Sequence, residues 1–303
     1  MKTRRRFLQA AAASSAALSL GSRSRAQDAP ARPSPRFKLS LAAYSFRSQL
    51  PNFRGKPDPG KTPMDMASFL DHCATLDIDA AEITSYFLPQ DCTRELAFDL
   101  RRRAHRLGLD ISGGAIGNNF SFAPDSPELA KQMAYTEHWI RTYAAMGAPV
   151  IRVFAGHPKD KKQSPEAAEK NIIQNLQRAC GIAAQHGVIL GVENHDFTTD
   201  IDRMERILAG VDSPWFGLNF DSGNLARTSD PYADLKRIAP HTVNAQLKIH
   251  IPRDGKKEPA DFGRLVDILG EAGYRGYLVL EYESGDPFGE IPEYLDKLRE
   301  AIG

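Results

Sequence analysis

Cysteine is scarce in this chain. Cys73, Cys92 and Cys180 are the only three among 303 residues. An odd number without close spacing excludes a disulfide framework or a cysteine metal knot, and reads as three buried apolar residues. A bilayer-spanning run is also missing, since the one apolar stretch near the start, residues 10–20, is too short to cross a membrane. No Walker-type phosphate loop occurs, so nothing independent argues for a phosphorylated substrate. No GxGxxG follows the first strand candidate. Gly113-Gly114-Ala115-Ile116-Gly117 has the wrong place and spacing for a dinucleotide turn, and reads as a strand end where backbone packs closely.

A surplus of positive charge is lacking too, once the first residues are set apart. Thr3-Arg4-Arg5-Arg6-Phe7-Leu8 has the form of a twin-arginine motif, and the apolar run leads to Ser24-Arg25-Ala26, small residues flanking a cleavage point before Gln27. Residues 1–26 are therefore expected to be a signal peptide read by the twin-arginine export machinery, with the periplasm as destination. Residues 27–37, rich in Pro and Ser, read as a linker. Six of the 39 Lys+Arg lie in that leader and none of the acids does, which leaves 33 basic against 38 acidic residues, a net charge of −5. The mature chain is thus acidic. Nucleic acid is not an expected partner, and neither is a membrane after cleavage.

From residue 38 onward, short β-rich runs alternate with longer amphipathic stretches. The strand candidates are 39–45, 80–84, 110–114, 150–154, 188–193, 216–221, 243–249 and 277–282, eight in all. Helical stretches between them include 127–146, 165–186, 201–208, 262–271 and 292–302. Thr62-Pro63, Ser126-Pro127-Glu128 and Ser164-Pro165-Glu166 spell helix starts, a capping hydroxyl followed by Pro at the first helical position. Eight alternations over one uninterrupted stretch predict a single-domain α/β fold, a (β/α)8 TIM barrel over residues 38–303.

Side chains at the carboxyl ends of barrel strands face the active site. The fifth candidate ends in Glu193, the sixth in Asp221 and the eighth in Glu281, while the seventh carries Gln246 and Lys248 on one face. Three carboxylates converging without a cation would repel one another. One divalent metal ion relieves that, and an all-oxygen set of Glu193, Asp221, Gln246 and Glu281 suits Mn²⁺ or Mg²⁺, with Co²⁺, Fe²⁺ or Zn²⁺ as alternatives. Further rim candidates are His195, Tyr44, Phe46, Glu82, Arg152, His157, Asn224 and Arg253. Tyr44 and Phe46 are candidates for an apolar wall against a sugar ring, or else core aromatics. Glu82 is a candidate support for the site, and Arg152, inside an apolar strand, needs a buried partner or an anionic substrate.

At these residues the chain resembles the xylose isomerase-like TIM-barrel superfamily, the sugar phosphate isomerase/epimerase group. The matching pieces are Gly191-Val192-Glu193-Asn194-His195, Asn219-Phe220-Asp221-Ser222-Gly223-Asn224, Gln246-Leu247-Lys248 and Leu280-Glu281-Tyr282, with Glu258-Pro259-Ala260-Asp261-Phe262 and Gly273-Tyr274-Arg275-Gly276-Tyr277 between them. The resemblance implies one metal held by Glu193, Asp221, Gln246 and Glu281, and Glu193 with Glu281 as the pair that moves a substrate proton. It implies an isomerase or epimerase acting on a sugar or keto-sugar through a metal-stabilised enediolate. Gln246 stands where ketose epimerases usually have His, and looks more like hydroxypyruvate isomerases, inosose dehydratases and dehydroshikimate dehydratases. A lyase or dehydratase acting on a keto-sugar, keto-cyclitol or oxidised glycoside therefore stays open, with Lys248 or His195 as general acid. So does a sugar-binding barrel that has kept the metal and lost turnover. The apurinic endonuclease branch, with its His-rich zinc cluster and basic rim, fits neither the eight His nor the acidic balance.

Overall fold

Each predicted strand lies beside its sequence neighbour in a ring. The computed structural model describes residues 37–51, 64–159 and 162–303, all within one unit that runs from Pro35 to Gly303. The expected signal peptide, nearly all of the linker and the Thr62-Pro63 helix start lie outside the described residues. Strands β1 (Lys38–Ala42), β2 (Ala80–Thr84), β3 (Asp110–Ala115), β4 (Val150–Val153), β5 (Ile189–Glu193), β6 (Phe216–Asp221), β7 (Thr242–Lys248) and β10 (Tyr277–Glu281) close into a barrel in the order β1-β10-β7-β6-β5-β4-β3-β2. Every pairing in the ring is parallel. Helices α1 (Met66–Cys73), α2 (Arg94–Arg106), α3 (Pro127–Met146), α4 (Pro165–His186), α5 (Ile201–Gly210), α6 (Pro231–Ile238), α7 (Phe262–Glu271) and α8 (Pro287–Ile302) follow the eight ring strands in turn, the first seven returning the chain to the start of the next strand. This is the (β/α)8 TIM barrel that the alternation predicts.

The helix starts follow from local chemistry. Ser126 Oγ accepts from Leu129 N at 3.1 Å and Ser164 Oγ from Ala167 N at 3.2 Å, each followed by Pro at the first helical position. These hydroxyls satisfy amides that have no partner inside the helix. The glycine pair at the end of β3 serves close packing, because a Cβ on Gly114 would lie 2.1 Å from the Tyr143 ring of α3. Cys73, Cys92 and Cys180 are buried and unpaired. None of the described helices is long and apolar enough to cross a membrane.

Three local departures bear on the site. β1 stops at Ala42 and turns into a 3-10 helix, Ala43–Phe46, because Ser45 Oγ accepts from Tyr282 N at 2.9 Å and holds the turn against the end of β10. α8 begins at Pro287, earlier than the residue 292 that the pattern predicts, because the Asp286 carboxylate accepts from Phe288 N and Gly289 N, both at 3.1 Å. Between β7 and α7 a short antiparallel hairpin, β8 (His250–Arg253) with β9 (Lys256–Pro259), stands outside the ring. Its turn residues Asp254 and Gly255 have φ of 49° and 79°, the backbone of a two-residue hairpin loop.

Candidate active site

The inner layer beneath the carboxyl ends is polar. Glu82 of β2 is fully buried and accepts from Gln246 Nε2 at 2.6 Å and from Asn244 Nδ2 at 2.8 Å. Asn244 also donates to Asn219 Oδ1 at 2.7 Å, and Asn219 Nδ2 donates to Gln246 Oε1 at 2.6 Å. Each residue of this layer thus answers another from a different strand. Burial pushes the Glu82 carboxyl above its ordinary range, and the two amides work against that rise.

Above it, Glu193, Asp221 and Glu281 end β5, β6 and β10, all three buried. The Asn194 side chain clamps the Asp221 backbone, accepting from its N at 2.9 Å and donating to its O at 2.7 Å, while Gly223 N donates to Asp221 Oδ1 at 2.8 Å. Glu193 Oε1 accepts from Asn224 Nδ2 at 3.0 Å, and Arg152 Nε stands 3.0 Å from Glu193 Oε2, an ion pair by distance but outside hydrogen-bond geometry. Arg152 also donates to Tyr86 Oη at 3.1 Å and Ile116 O at 2.9 Å, so the buried guanidinium has the partners its position requires. Lys248 Nζ reaches Glu281 Oε1 at 2.5 Å, Glu283 Oε1 at 2.6 Å and Asp221 Oδ2 at 3.4 Å.

This crowding shapes the protonation of the acids. Burial pushes Asp221 up to about 7 and Glu281 up to about 7, with Lys248 opposing the rise at both. Glu193 is raised for the same reason, with Arg152 opposing it. Burial lowers His195, which favours its neutral form.

The donor chemistry fits a hard divalent cation. Glu193 Oε2 and Asp221 Oδ2 are buried without a hydrogen-bond partner, each on a carboxylate at the rim. Glu193, Asp221 and Glu281 are the residues that would hold such an ion. Gln246 Oε1 spends one of its acceptor positions on Asn219 and keeps the other. Among the described residues no trio of His, Cys, Asp or Glu closes to metal-holding distance, and the Lys248 ammonium stands between two of the three acids, Asp221 and Glu281.

The remaining candidates divide. Arg152, Asn224 and Lys248 contact the acids directly, while Glu82 stays in the layer beneath them, bonded to Gln246 and Asn244. Tyr44 lies half-buried against the rings of Tyr86 and Phe87, both at 6.3 Å, within reach of the same rim. Phe46, two residues on, turns into the helix layer against Phe69, His72 and Phe288, and the structure does not bring it to the acids. His195 and His157 share one neighbour, with Nδ1 atoms 3.3 Å and 3.8 Å from Asp196 Oδ2, on the β4 and β5 side of the rim. Arg253 donates to Glu258 Oε2 at 3.0 Å and to Ser229 O, which ties the hairpin to the loop after β6 instead of entering the site.

Sequence reasoning gave no role in the site to Asn194, Asn219, Asn244, Tyr86 and Glu283. A period-two reading would have found three of them, because Asn219 shares a strand face with Asp221, Asn244 with Gln246, and Glu283 follows Glu281 by two. A cleft of about 140 Å³ opens beside the acids, lined by Asn224, Lys248, His250, Lys257, Glu281 and Glu283 among others. A larger cavity of about 560 Å³ lies at the amino ends of β6 and β7, around Phe216, Gly217, Thr242 and Val243, and contains none of the rim acids.

Comparison with known proteins agrees with this geometry. A sequence profile described as xylose isomerase-like TIM barrel matches residues 70–301. No curated protein matches the chain. Solved structures of similar fold include a xylose isomerase-like TIM barrel protein from Mycobacterium smegmatis in complex with magnesium, 18% identical, covering 88% of this chain and 98% of that one with a TM-score of 0.65. The 3-keto-D-glucoside 4-epimerase from E. coli is 14% identical over 88% of this chain and 100% of its own, with a TM-score of 0.66. D-Psicose 3-epimerase from Clostridium cellulolyticum H10, solved with D-tagatose, is 15% identical over 88% and 99%, also at 0.66. At such identities the likeness establishes the fold.

Proposed function

The chain belongs to the xylose isomerase-like TIM-barrel family, and on that premise we propose that it is a divalent-metal-dependent isomerase or epimerase of a sugar or keto-sugar. The observation that carries this reading is the gathering of Glu193, Asp221 and Glu281 at the ends of β5, β6 and β10, with two of their buried oxygens free of hydrogen bonds. Sugar epimerases among the structures of similar fold support it, as does the magnesium complex.

A divalent ion at these oxygens, Mn²⁺ or Mg²⁺ by donor type, would polarise adjacent hydroxyl and carbonyl oxygens of the substrate and acidify the C–H between them. Glu193 and Glu281 are the groups that take this proton and return it, to the other face of the same carbon or to its neighbour. Burial has lifted both carboxyls above the ordinary carboxylate range, Glu281 up to about 7, which makes each a stronger base. Arg152 fixes Glu193 in place. Tyr44 and Asn224 border the substrate, and the polar layer under Gln246 keeps the floor rigid. Lys248, 2.5 Å from Glu281, is also placed to protonate a departing oxygen, which favours elimination as the second reading.

Incubation of the Mn²⁺-loaded protein with keto-sugars in D2O tests both. Deuterium at the carbon next to the carbonyl, in an epimerised or isomerised product, supports the first reading. A dehydrated or cleaved product assigns elimination. Binding without exchange in any keto-sugar leaves only a sugar-binding barrel. We further propose that the protein acts in the periplasm, on the strength of the twin-arginine motif at Arg4-Arg5.

A further inference from the structure

Lys248 stands where the acids that end β6 and β10 converge. Its ammonium is 2.5 Å from Glu281, 2.6 Å from Glu283 and 3.4 Å from Asp221. Asp221 and Glu281 are buried, whereas the Glu283 side chain is 34% exposed at the edge of the cleft. A desolvated ammonium among carboxylates acts as their counter-ion. A divalent ion on the same oxygens cannot share that space, because like charges a few ångströms apart repel strongly where water is excluded. The ammonium also leaves the site's acceptors partly unused. Asp221 Oδ2, 3.4 Å from the ammonium, is buried outside bonding geometry, and Glu193 Oε2 has Arg152 beside it at 3.0 Å but likewise no hydrogen bond.

We propose that Lys248 is a tethered counter-cation, which neutralises the acids before metal arrives and is displaced toward Glu283 when a divalent ion takes Glu193, Asp221 and Glu281. This rests on the metal-dependent reading above. Glu283 is the natural resting place, being the outermost of the lysine's partners and not one of the ligands. Its contact with Nζ survives when Asp221 and Glu281 turn to the metal. Metal affinity then measures a competition between two cations for the same oxygens, and the lysine reaches its working position at the cleft only when the metal is in.

Two substitutions on opposite sides of this competition move in opposite directions. Lys248→Met keeps the apolar stem and removes the charge, so Mn²⁺ binds at least about tenfold more tightly. Mn²⁺ also raises the Tm of this variant more than that of the wild type, because its metal-free form has lost its counter-ion. Glu283→Gln removes the resting place and leaves the ammonium to Asp221 and Glu281, so Mn²⁺ binds several-fold more weakly although no ligand has changed. Calorimetric titration of the full chain with Mn²⁺, with thermal denaturation at matched concentrations, reads both. Should metal-free Lys248→Met fail to fold, Glu283→Gln alone decides. Wild type that binds Mn²⁺, with Lys248→Met no tighter or Glu283→Gln no weaker, overturns the tethered counter-cation and leaves the metal-dependent reading standing. Absence of Mn²⁺ binding in wild type and both variants overturns the metal-dependent reading and the displacement with it. Binding in Lys248→Met but not in wild type supports the lysine as occupant and overturns metal dependence of the natural chain.

Discussion

Glu193 has Asn224 on one of its oxygens and Arg152 against the other, and the two neighbours act differently. Asn224 orients the carboxylate, whereas Arg152 supplies the charge that lets it be buried. Arg152→Leu is therefore expected to destabilise the fold by about 3–5 kcal/mol, the cost of a buried charge left alone, as read by urea unfolding. Glu193→Gln and Glu281→Gln should instead lower kcat for proton exchange by at least about 10², with the fold retained on circular dichroism. The raised acids also give the metal-free chain a pH dependence. Burial holds Asp221 up to about 7 from 3.8 and Glu281 up to about 7 from 4.5. A carboxyl raised by folding stabilises the fold fully below its unfolded value, and that contribution is lost as pH climbs through the folded one. The Tm of the metal-free protein should fall between about pH 4 and about pH 7, and saturating Mn²⁺ should flatten the slope; an unchanged slope with metal would count against these acids as ligands. Beneath them, Glu82 accepts at both oxygens and so turns the NH2 groups of Gln246 and Asn244 toward itself. The orientation of Asn219 follows, since it must accept from Asn244 and donate to Gln246. One acceptor-only group thus sets the direction of three amides, including the oxygen that Gln246 presents.

Among elements, the helix starts and the strand ends were the most legible. Ser-Pro-Glu spells a cap because the hydroxyl, the missing N–H and the acid each suit the first turn, and Ser164→Ala should cost about 1 kcal/mol of stability by denaturant titration. Gly114→Ala tests close packing against α3, since its Cβ would meet the Tyr143 ring at 2.1 Å. A loss of about 1–3 kcal/mol is expected, and no loss would mean the ring has room to move. The acids at the ends of β5, β6 and β10 could be read because an apolar run that finishes in a carboxylate has a single face on which to put it. What could not be read depended on contacts far apart in sequence. Nothing near Tyr44 and Phe46 announces that Ser45 will bond to Tyr282 and split the two aromatics between rim and helix layer. The polar layer was hidden for the same reason: Glu82 and Gln246 are separated by 164 residues, and only ring closure makes them neighbours. The hairpin had a local signal in Asp254-Gly255 that went unread beside the stronger barrel pattern.

At the scale of the whole molecule, the acidic balance of residues 27–303 and the ring of parallel strands describe a barrel with its acids gathered at one rim. Replacing Arg4 and Arg5 by Lys should hold the protein in the cytoplasm, as read by immunoblotting of cell fractions, and unchanged periplasmic recovery would sink the export reading. β10 pairs with β1 on one side and β7 on the other, and it is the last barrel strand in chain order. The strand that completes the ring is also the one that carries Glu281. Until it has been synthesised, β1 and β7 are exposed edges, and the rim lacks one of its acids. Translation order therefore makes fold and function arrive in a single event. A route that threads the chain out while it is still being made would carry an open sheet, whereas a route that waits carries a finished barrel.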